Sequence, residues 1–410
     1  MIKKLSIVIL ISLILFFTSL EIFLRLNPNF INFRIINFFP ETNVKKKLLI
    51  NLYPSYDAKT FKKKIGNYYF SLYKETYFHP TPKEDLLIGA KNFMFYKNGF
   101  CNETYDLDNE HIISVGDSFT YCTQLTPNDS WIKNIFKNLD KKKAINMGLP
   151  GIGPDQYNEI LRGTANKNTK LIIYAYYEGN DLRDMLKSFN LNKNEDKKNL
   201  LTENNKLKFY IKKIFGEFYS INYALALYRV NFLYKKNINF KYTRISSNQT
   251  FNFGNSDLDE VEHAKFINPK FNKNSKNNIV IFSNLLSKNF FEATEIARIN
   301  KSIIVFIYIP SAYTAFGNDV KFHDQDVGKL VKNYSLISQK IFSDTCKNYK
   351  LYCINAVTSF INYNQKNQIP SHFPWNVHLT KNGHKIISKE IKSYICNNFE
   401  NDEFFRRNCY

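Results

Sequence analysis

The sequence predicts an α/β fold: a three-layer sandwich with a central parallel sheet of about five strands, preceded by an N-terminal membrane anchor. Three observations lead there. Short apolar runs rich in β-branched residues alternate with stretches of helical period between His111 and Phe399. Such alternation argues a parallel sheet covered by helices on both faces. The amino terminus carries a basic pair followed by a long apolar run.

In that first segment Lys3 and Lys4 precede an apolar stretch from Leu5 to Leu20, and apolar residues resume from Ile22 to Leu26 around Arg25. The run approaches the ~20 residues that cross a bilayer. No small-x-small cleavage site and no lipid-acceptor cysteine follows. An uncleaved signal anchor (residues 1–26) is therefore favoured over a cleaved signal peptide. Its lysines would stay cytoplasmic and the remainder would be periplasmic or extracellular. Residues 27–110 form a Phe-, Tyr- and Lys-rich juxtamembrane lead-in with Lys45-Lys46-Lys47 and Lys62-Lys63-Lys64. It reads as a solvated stretch that packs on the main domain.

The main domain, 111–400, opens with the strand His111–Val115. Asp129–Leu139 has Trp131, Ile132, Ile135 and Phe136 at helical spacing. Ala144–Met147 is a second strand, Asp155–Leu161 begins a helix, and Lys170–Tyr177 is a third strand. An insertion follows at about 186–275: Asn190–Lys208 is charged and Asn-rich, Phe209–Lys235 is helix-like and aromatic, and Asn237–Asn277 has no clear period. Ile279–Ile299 is helical, Ser302–Ile309 is a fourth strand, Asp326–Tyr349 is helical, Leu351–Ile354 is a fifth strand, and Leu379–Phe399 closes with a helix.

Composition bounds the function. The 410 residues have an ordinary 44% hydrophobic content, enough for a core. The net charge of +21, from 57 basic and 36 acidic residues, is compatible with an anionic surface. It is mostly Lys in an Asn- and Ile-rich chain, without zinc-finger spacing or an RNA-binding motif, so nucleic acid is not an expected partner. Six cysteines, an even number, suit an exported chain with disulfides. Proximity in sequence alone suggests Cys101–Cys122, Cys346–Cys353 and Cys396–Cys409, and six free thiols remain the alternative.

Candidate chemistry sits at strand ends, where ligands of such sheets bind. Gly116-Asp117-Ser118 follows the first strand, and a helix-like segment follows it in turn. A serine there would benefit from outward-pointing backbone N–H groups and a helix dipole. Asn146-Met147-Gly148-Leu149-Pro150-Gly151 follows the second strand, Gly179-Asn180-Asp181 the third, and His378 precedes the last helix. Each piece alone is an ordinary turn, loop or histidine. His372, His378 and His384 straddle a loop and a helix start without the i, i+4 spacing of paired helical ligands, so no metal is expected.

Together and in this order, the four motifs resemble the SGNH (GDSL-type) hydrolase family over about residues 111–395, the insertion excepted. The resemblance implies a flavodoxin-like sheet and no cofactor. It also implies Ser118 as nucleophile and His378 as the base that moves its proton. The Ser118 N–H, the Gly151 N–H and the Asn180 side chain would form the oxyanion hole. His384 is left to pack or cap the last helix. The chain departs from the pattern at one place. The Asp usually found two or three residues before the histidine is replaced by Asn376 or Trp375. Three arrangements stay open: a Ser–His dyad oriented by Asn376 or a backbone carbonyl, a carboxylate from Asp181 or Asp184, or a poor catalyst. The expected function is an anchored esterase removing an acyl group, such as acetyl, from a carbohydrate or lipid through an acyl-enzyme on Ser118. An O-acyltransferase acting on an envelope or exported polysaccharide, with the aromatic insertion shielding its acceptor site, is one alternative. A catalytically impaired glycan-binding or assembly module is the other.

Overall fold

The computed structural model describes residues 2–31, 33–36, 39, 43–52, 60–65, 67–73, 77–79, 91, 93–95, 99–186, 216–228, 241–244, 249–252, 264–320, 325–367, 369–373 and 377–410. The chain divides into two compact units. One comprises Met1–Ala58 with Lys193–Asn239, the other Lys59–Asn192 with Phe240–Tyr410.

In the first unit, helix α1 (Ile2–Leu26) carries the apolar run, and Ser6–Leu26 is long and apolar enough to cross a membrane. Leu24 at its end joins Ile31, Ile36, Phe39, Val44 and Leu48 in a small buried cluster that also takes in Tyr219 and Ala226 of the insertion.

The second unit holds the sheet. Its strands are β1 (His111–Val115), β2 (Ala144–Asn146), β3 (Thr169–Tyr177), β4 (Ile303–Ile309) and β5 (Tyr352–Asn355). They lie parallel in the order β2-β1-β3-β4-β5. This is the flavodoxin-like order, in which the strand sequence reverses direction between β1 and β3. All five residues of β1 are buried, as are eight of the nine in β3. Only strands covered on both faces can be apolar at every position. The longer helices beyond α1 include α2 (Pro154–Thr164), α3 (Tyr219–Tyr228, in the first unit), α4 (Ser275–Ile299), α5 (Gln325–Asn348), α6 (Val357–Lys366) and α7 (Lys381–Asn398). Tyr174 and Tyr176 of β3 face one layer, meeting Tyr157 of α2, Phe290 of α4 and Phe342 of α5. Tyr177, one residue on, meets Phe119.

Two expectations require correction. Asp129–Leu139 is not an α-helix: the segment contains only the short 3-10 turns Pro127–Asp129 and Ile132–Asn134. No α-helix follows Ser118 either; residues 118–125 form a run of turns. Pro127 and a local excess of Ser, Thr, Asn and Asp offer the backbone turn bonds that compete with a helix. The Ser130 hydroxyl donates to Pro127 O, and the Thr126 hydroxyl to Asp129. The apolar residues at helical spacing still turn inward: Trp131, Ile132, Ile135 and Phe136 are all core. The flexible stretch expected at Asn190–Lys208 lies outside the described residues.

All three cysteine pairs expected from proximity form: Cys101–Cys122, Cys346–Cys353 and Cys396–Cys409.

Candidate active site

The site begins where β1 ends. Gly116 packs so tightly that a Cβ there would collide with the Thr120 side chain. A side chain here would press on Thr120 and Ala175, so the packing favours glycine. Asp117 then organises the turn. Its carbonyl accepts from the Thr120 and Tyr121 amides at 3.2 and 3.0 Å, and its Oδ1 accepts from the Phe119 amide at 2.8 Å. The Thr123 hydroxyl donates to Ser118 O, and the Trp131 indole donates to Phe119 O. The Cys101–Cys122 bridge ties the far end of the turn down. Ser118 is therefore carried by a braced turn, half-buried, with its hydroxyl directed at His378.

His378 Nε2 stands 2.9 Å from Ser118 Oγ. The histidine rides on a tight loop before α7. His372 and Leu379 pair as an antiparallel bridge, the Phe373 amide donates to His378 O at 2.7 Å, and the Val377 amide donates to Phe373 O at 3.0 Å. Val377, directly before the histidine, has φ +56°. A β-branched residue there is strained by about 1–3 kcal/mol, a cost that surrounding packing must cover. The histidine ring lies on the Phe119 ring, centroids 5.0 Å apart and planes at 29°, and Phe119 in turn stacks on Tyr177 at 3.5 Å. Of the motif's other histidines, His372 is fully buried against Phe316 and Phe360, with Nδ1 beside the Ser371 hydroxyl. His384 accepts the Trp131 amide on Nδ1. Burial drives both down to about 3, so they are neutral and structural.

The remaining motifs line the same end of the sheet. The Asn146 side chain donates to Thr120 O and accepts from the Gly148 amide, and the Leu149 amide donates to Gly116 O. These bonds fasten the β2 exit to the serine turn. Gly151 has φ +75°, and nothing lies within 4 Å of where its Cβ would stand. Asn180 follows β3, and its Nδ2 donates to Asp184 Oδ2 at 3.0 Å. Among the described residues neither Gly151 nor Asn180 is hydrogen-bonded to Ser118. Asn376 and Trp375 lie outside the described residues.

Neither alternative carboxylate is directed to the histidine. Asp181 spends Oδ1 on the Tyr157 hydroxyl at 2.7 Å and Oδ2 on the Tyr177 amide at 2.9 Å. Asp184 holds Asn180 and Arg183. With Asp117 they form a buried acidic group behind the serine, a feature the sequence reading did not single out. Burial pushes Asp117 up to about 7; Asp184's charge adds to the rise, and the Phe119 amide and Asn180 oppose it. Burial first and the Asp117 charge second raise Asp181 as well. The sequence signal was present, since Asp117 is the central residue of Gly-Asp-Ser. Its burial depends on how β1 and β3 come together.

Among the described residues no group of three His, Cys, Asp or Glu side chains could hold a metal ion.

No family model matches the chain, and no curated protein matches it. Among solved structures, a protein from Bacteroides fragilis described as a "putative acylhydrolase" is similar at 12% identity, over 72% of this chain and 90% of that one, with a TM-score of 0.31. A likeness that faint carries no argument about this chain's chemistry, which rests on the site's own residues.

Proposed function

We propose that this chain is an SGNH-type serine ester hydrolase that removes an acyl group, acetyl foremost, from a carbohydrate or lipid. The observation that carries the reading is the 2.9 Å contact between Ser118 Oγ and His378 Nε2. It joins residues 260 apart in sequence at the carboxyl end of β1. That distance is within the reach a general base needs.

In this reading Ser118 Oγ attacks the ester carbonyl carbon as its proton passes to His378 Nε2. The tetrahedral oxyanion takes hydrogen bonds from the Ser118 and Gly151 amides and from Asn180. One of the two Nδ2 hydrogens of Asn180 is engaged by Asp184, and the second is the one offered to the oxyanion. Collapse breaks the bond to the alcohol, which leaves with the proton from Nε2. Water then attacks the acyl-enzyme, returns a proton through Nε2, and frees the carboxylic acid and Ser118. The Phe119 ring under the imidazole favours its transient positive charge. Asn376 or a backbone carbonyl would orient the ring, since the bonds of Asp181 and Asp184 run elsewhere. An N-terminal anchor with the sheet unit on the extracytoplasmic side is supported by the apolar helix and the three disulfides.

The test is fluorophosphonate labelling and p-nitrophenyl acetate hydrolysis by the detergent-solubilised full chain, beside Ser118→Ala and Asn376→Asp. Labelling and turnover that vanish in Ser118→Ala support the proposal. A folded wild type that neither labels nor turns over sinks it. Faster transfer to a sugar hydroxyl than to water would reassign the same acyl-enzyme to an O-acyltransferase. A rate gain in Asn376→Asp would identify the missing carboxylate as a deficit.

A further inference from the structure

Nothing in the sheet accounts for α3. It is the described helix of the insertion, and it belongs to the unit built around the end of α1. We infer that α3 is a second membrane contact, an interfacial helix lying in a phospholipid bilayer beside the outer end of α1. The inference rests on the anchored reading of α1 and is independent of the esterase reading.

The first argument is how α3 is attached. Glu21, in the last two turns of α1, accepts the Tyr219 amide at 3.2 Å and the Ser220 amide and hydroxyl at 2.7 and 2.8 Å. A carboxylate in this place satisfies the orphan donors of a helix amino terminus and complements its dipole. Arg25 pairs with Glu21 at 2.7 Å, donates to Glu217 O at 3.1 Å, and lies 5.2 Å over the Tyr219 ring. An acidic and a basic side chain at the end of an apolar span are thus spent on a segment about 200 residues downstream. A removable signal peptide has no use for such partners, whereas a retained helix does.

The second argument is what α3 presents outward. Its ten residues, Tyr-Ser-Ile-Asn-Tyr-Ala-Leu-Ala-Leu-Tyr, include no charge. Its two most polar side chains turn inward, Ser220 to Glu21 and Asn222 to Gly216 O and Phe218 O. The outward side carries Leu225 and Tyr228, 43% and 53% exposed, with Phe218 just ahead of the helix. A helix without charge, whose polar side chains are satisfied inward and whose outer side is apolar and aromatic, is suited to an apolar surround rather than water. The neighbouring surface supplies one. Ile22, Phe23 and Leu26, in the last turns of a 21-residue span about 31 Å long, are exposed too, as is Phe30 just beyond it. Tyr and Phe at the end of such a span are the residue types of the aromatic belt. Lys3 and Lys4 set the other end of α1 on the cytoplasmic side, so α3 lies at the outer leaflet.

The experiment uses the full chain reconstituted in phosphatidylcholine vesicles. Leu225→Trp and Tyr228→Trp place a reporter on the outer side of α3, and the wild type, with only Trp131 and Trp375, supplies the background. Quenching by lipids brominated high on the acyl chain is compared with quenching by aqueous iodide. An interfacial helix sits roughly 5–10 Å into the headgroup and acyl boundary. The added fluorescence should therefore fall by roughly half or more with brominated lipid and respond little to iodide. The opposite pattern, in a chain whose intact mass retains residues 1–26, overturns the inference while leaving the anchor standing. A mass that lacks residues 1–26 overturns both, because α3 would then have no cap. Fluorophosphonate labelling of Ser118, read on the same samples, reports the esterase separately.

Discussion

Asp117 offers the sharpest test of the site's electrostatics. Its Oδ2 and the Oδ1 of Asn180 are both buried without a hydrogen-bond partner, and Asn180 lies within bonding reach of the Asp117 carboxyl. Burial, with Asp184 and Asp181 nearby, pushes Asp117 from 3.8 to about 7. The folded state therefore keeps a proton that the unfolded chain loses above pH 4. Stability contributed by this group is complete below about pH 4, is lost as pH rises through 7, and is level beyond. The penalty is on the order of a few kcal/mol above pH 7 and smaller at pH 5. Asp117→Asn is neutral at every pH, keeps an acceptor for the Phe119 amide, and places an NH2 where the proton would be. It should gain more over wild type at pH 8 than at pH 5, by on the order of a few kcal/mol, a difference of several degrees in Tm. Thermal unfolding of both proteins at the two pH values, with disulfides intact, is the assay. An Asp117→Asn effect that is the same at pH 5 and pH 8 would refute the raised carboxyl.

Three further outcomes follow from the geometry. Phe119→Leu removes the rings' stacking on His378 and Tyr177, worth about 0.5–1.5 kcal/mol per pair; fluorophosphonate labelling should slow roughly threefold to tenfold, and an unchanged rate would remove Phe119 from the site's working parts. His384→Asn keeps an acceptor for the Trp131 amide, whereas His384→Leu orphans that amide and should cost about 1–3 kcal/mol more, measured by urea unfolding. Burial holds His384 at about 3, so its stability contribution is present above the unfolded value of 6.5 and falls as pH drops toward 3; both variants should flatten that slope. Replacing Cys101 and Cys122 by serine opens a loop of 21 residues and should lower stability by about 3 kcal/mol; because the bridge braces the serine turn, Ser118 labelling should fall with it.

Much of this fold is written locally. A five-residue run such as His111–Val115, apolar and β-branched, has few alternatives to a buried strand, and alternation with helical periods leads to a parallel sheet. Cysteines 7 to 21 residues apart need only a short loop to meet, which is why proximity was a sufficient guide to all three bridges. Local pattern failed at Asp129–Leu139, where helical spacing of core residues was met by 3-10 turns. Inward-facing spacing records what must be buried, and Pro127 with its Ser and Thr neighbours decides which backbone does it.

The sequence by itself determined the strands, their apolar character, the apolar first helix and the serine, asparagine and histidine candidates at element ends. The order of the motifs pointed to His378 among three histidines, and the tertiary structure brings His378 to Ser118 while it buries His372 and His384. Only the tertiary structure decided that Asp181 and Asp184 are committed to Tyr157, Tyr177, Asn180 and Arg183, and that Asp117 is buried. It decided that α3 returns to Glu21, 198 residues away from Tyr219. The physical reason is the same in each case. Strand and helix preferences are settled by neighbours a few residues apart, whereas burial, hydrogen-bond pairing and the proton affinity they set are properties of groups the chain brings together only when folded.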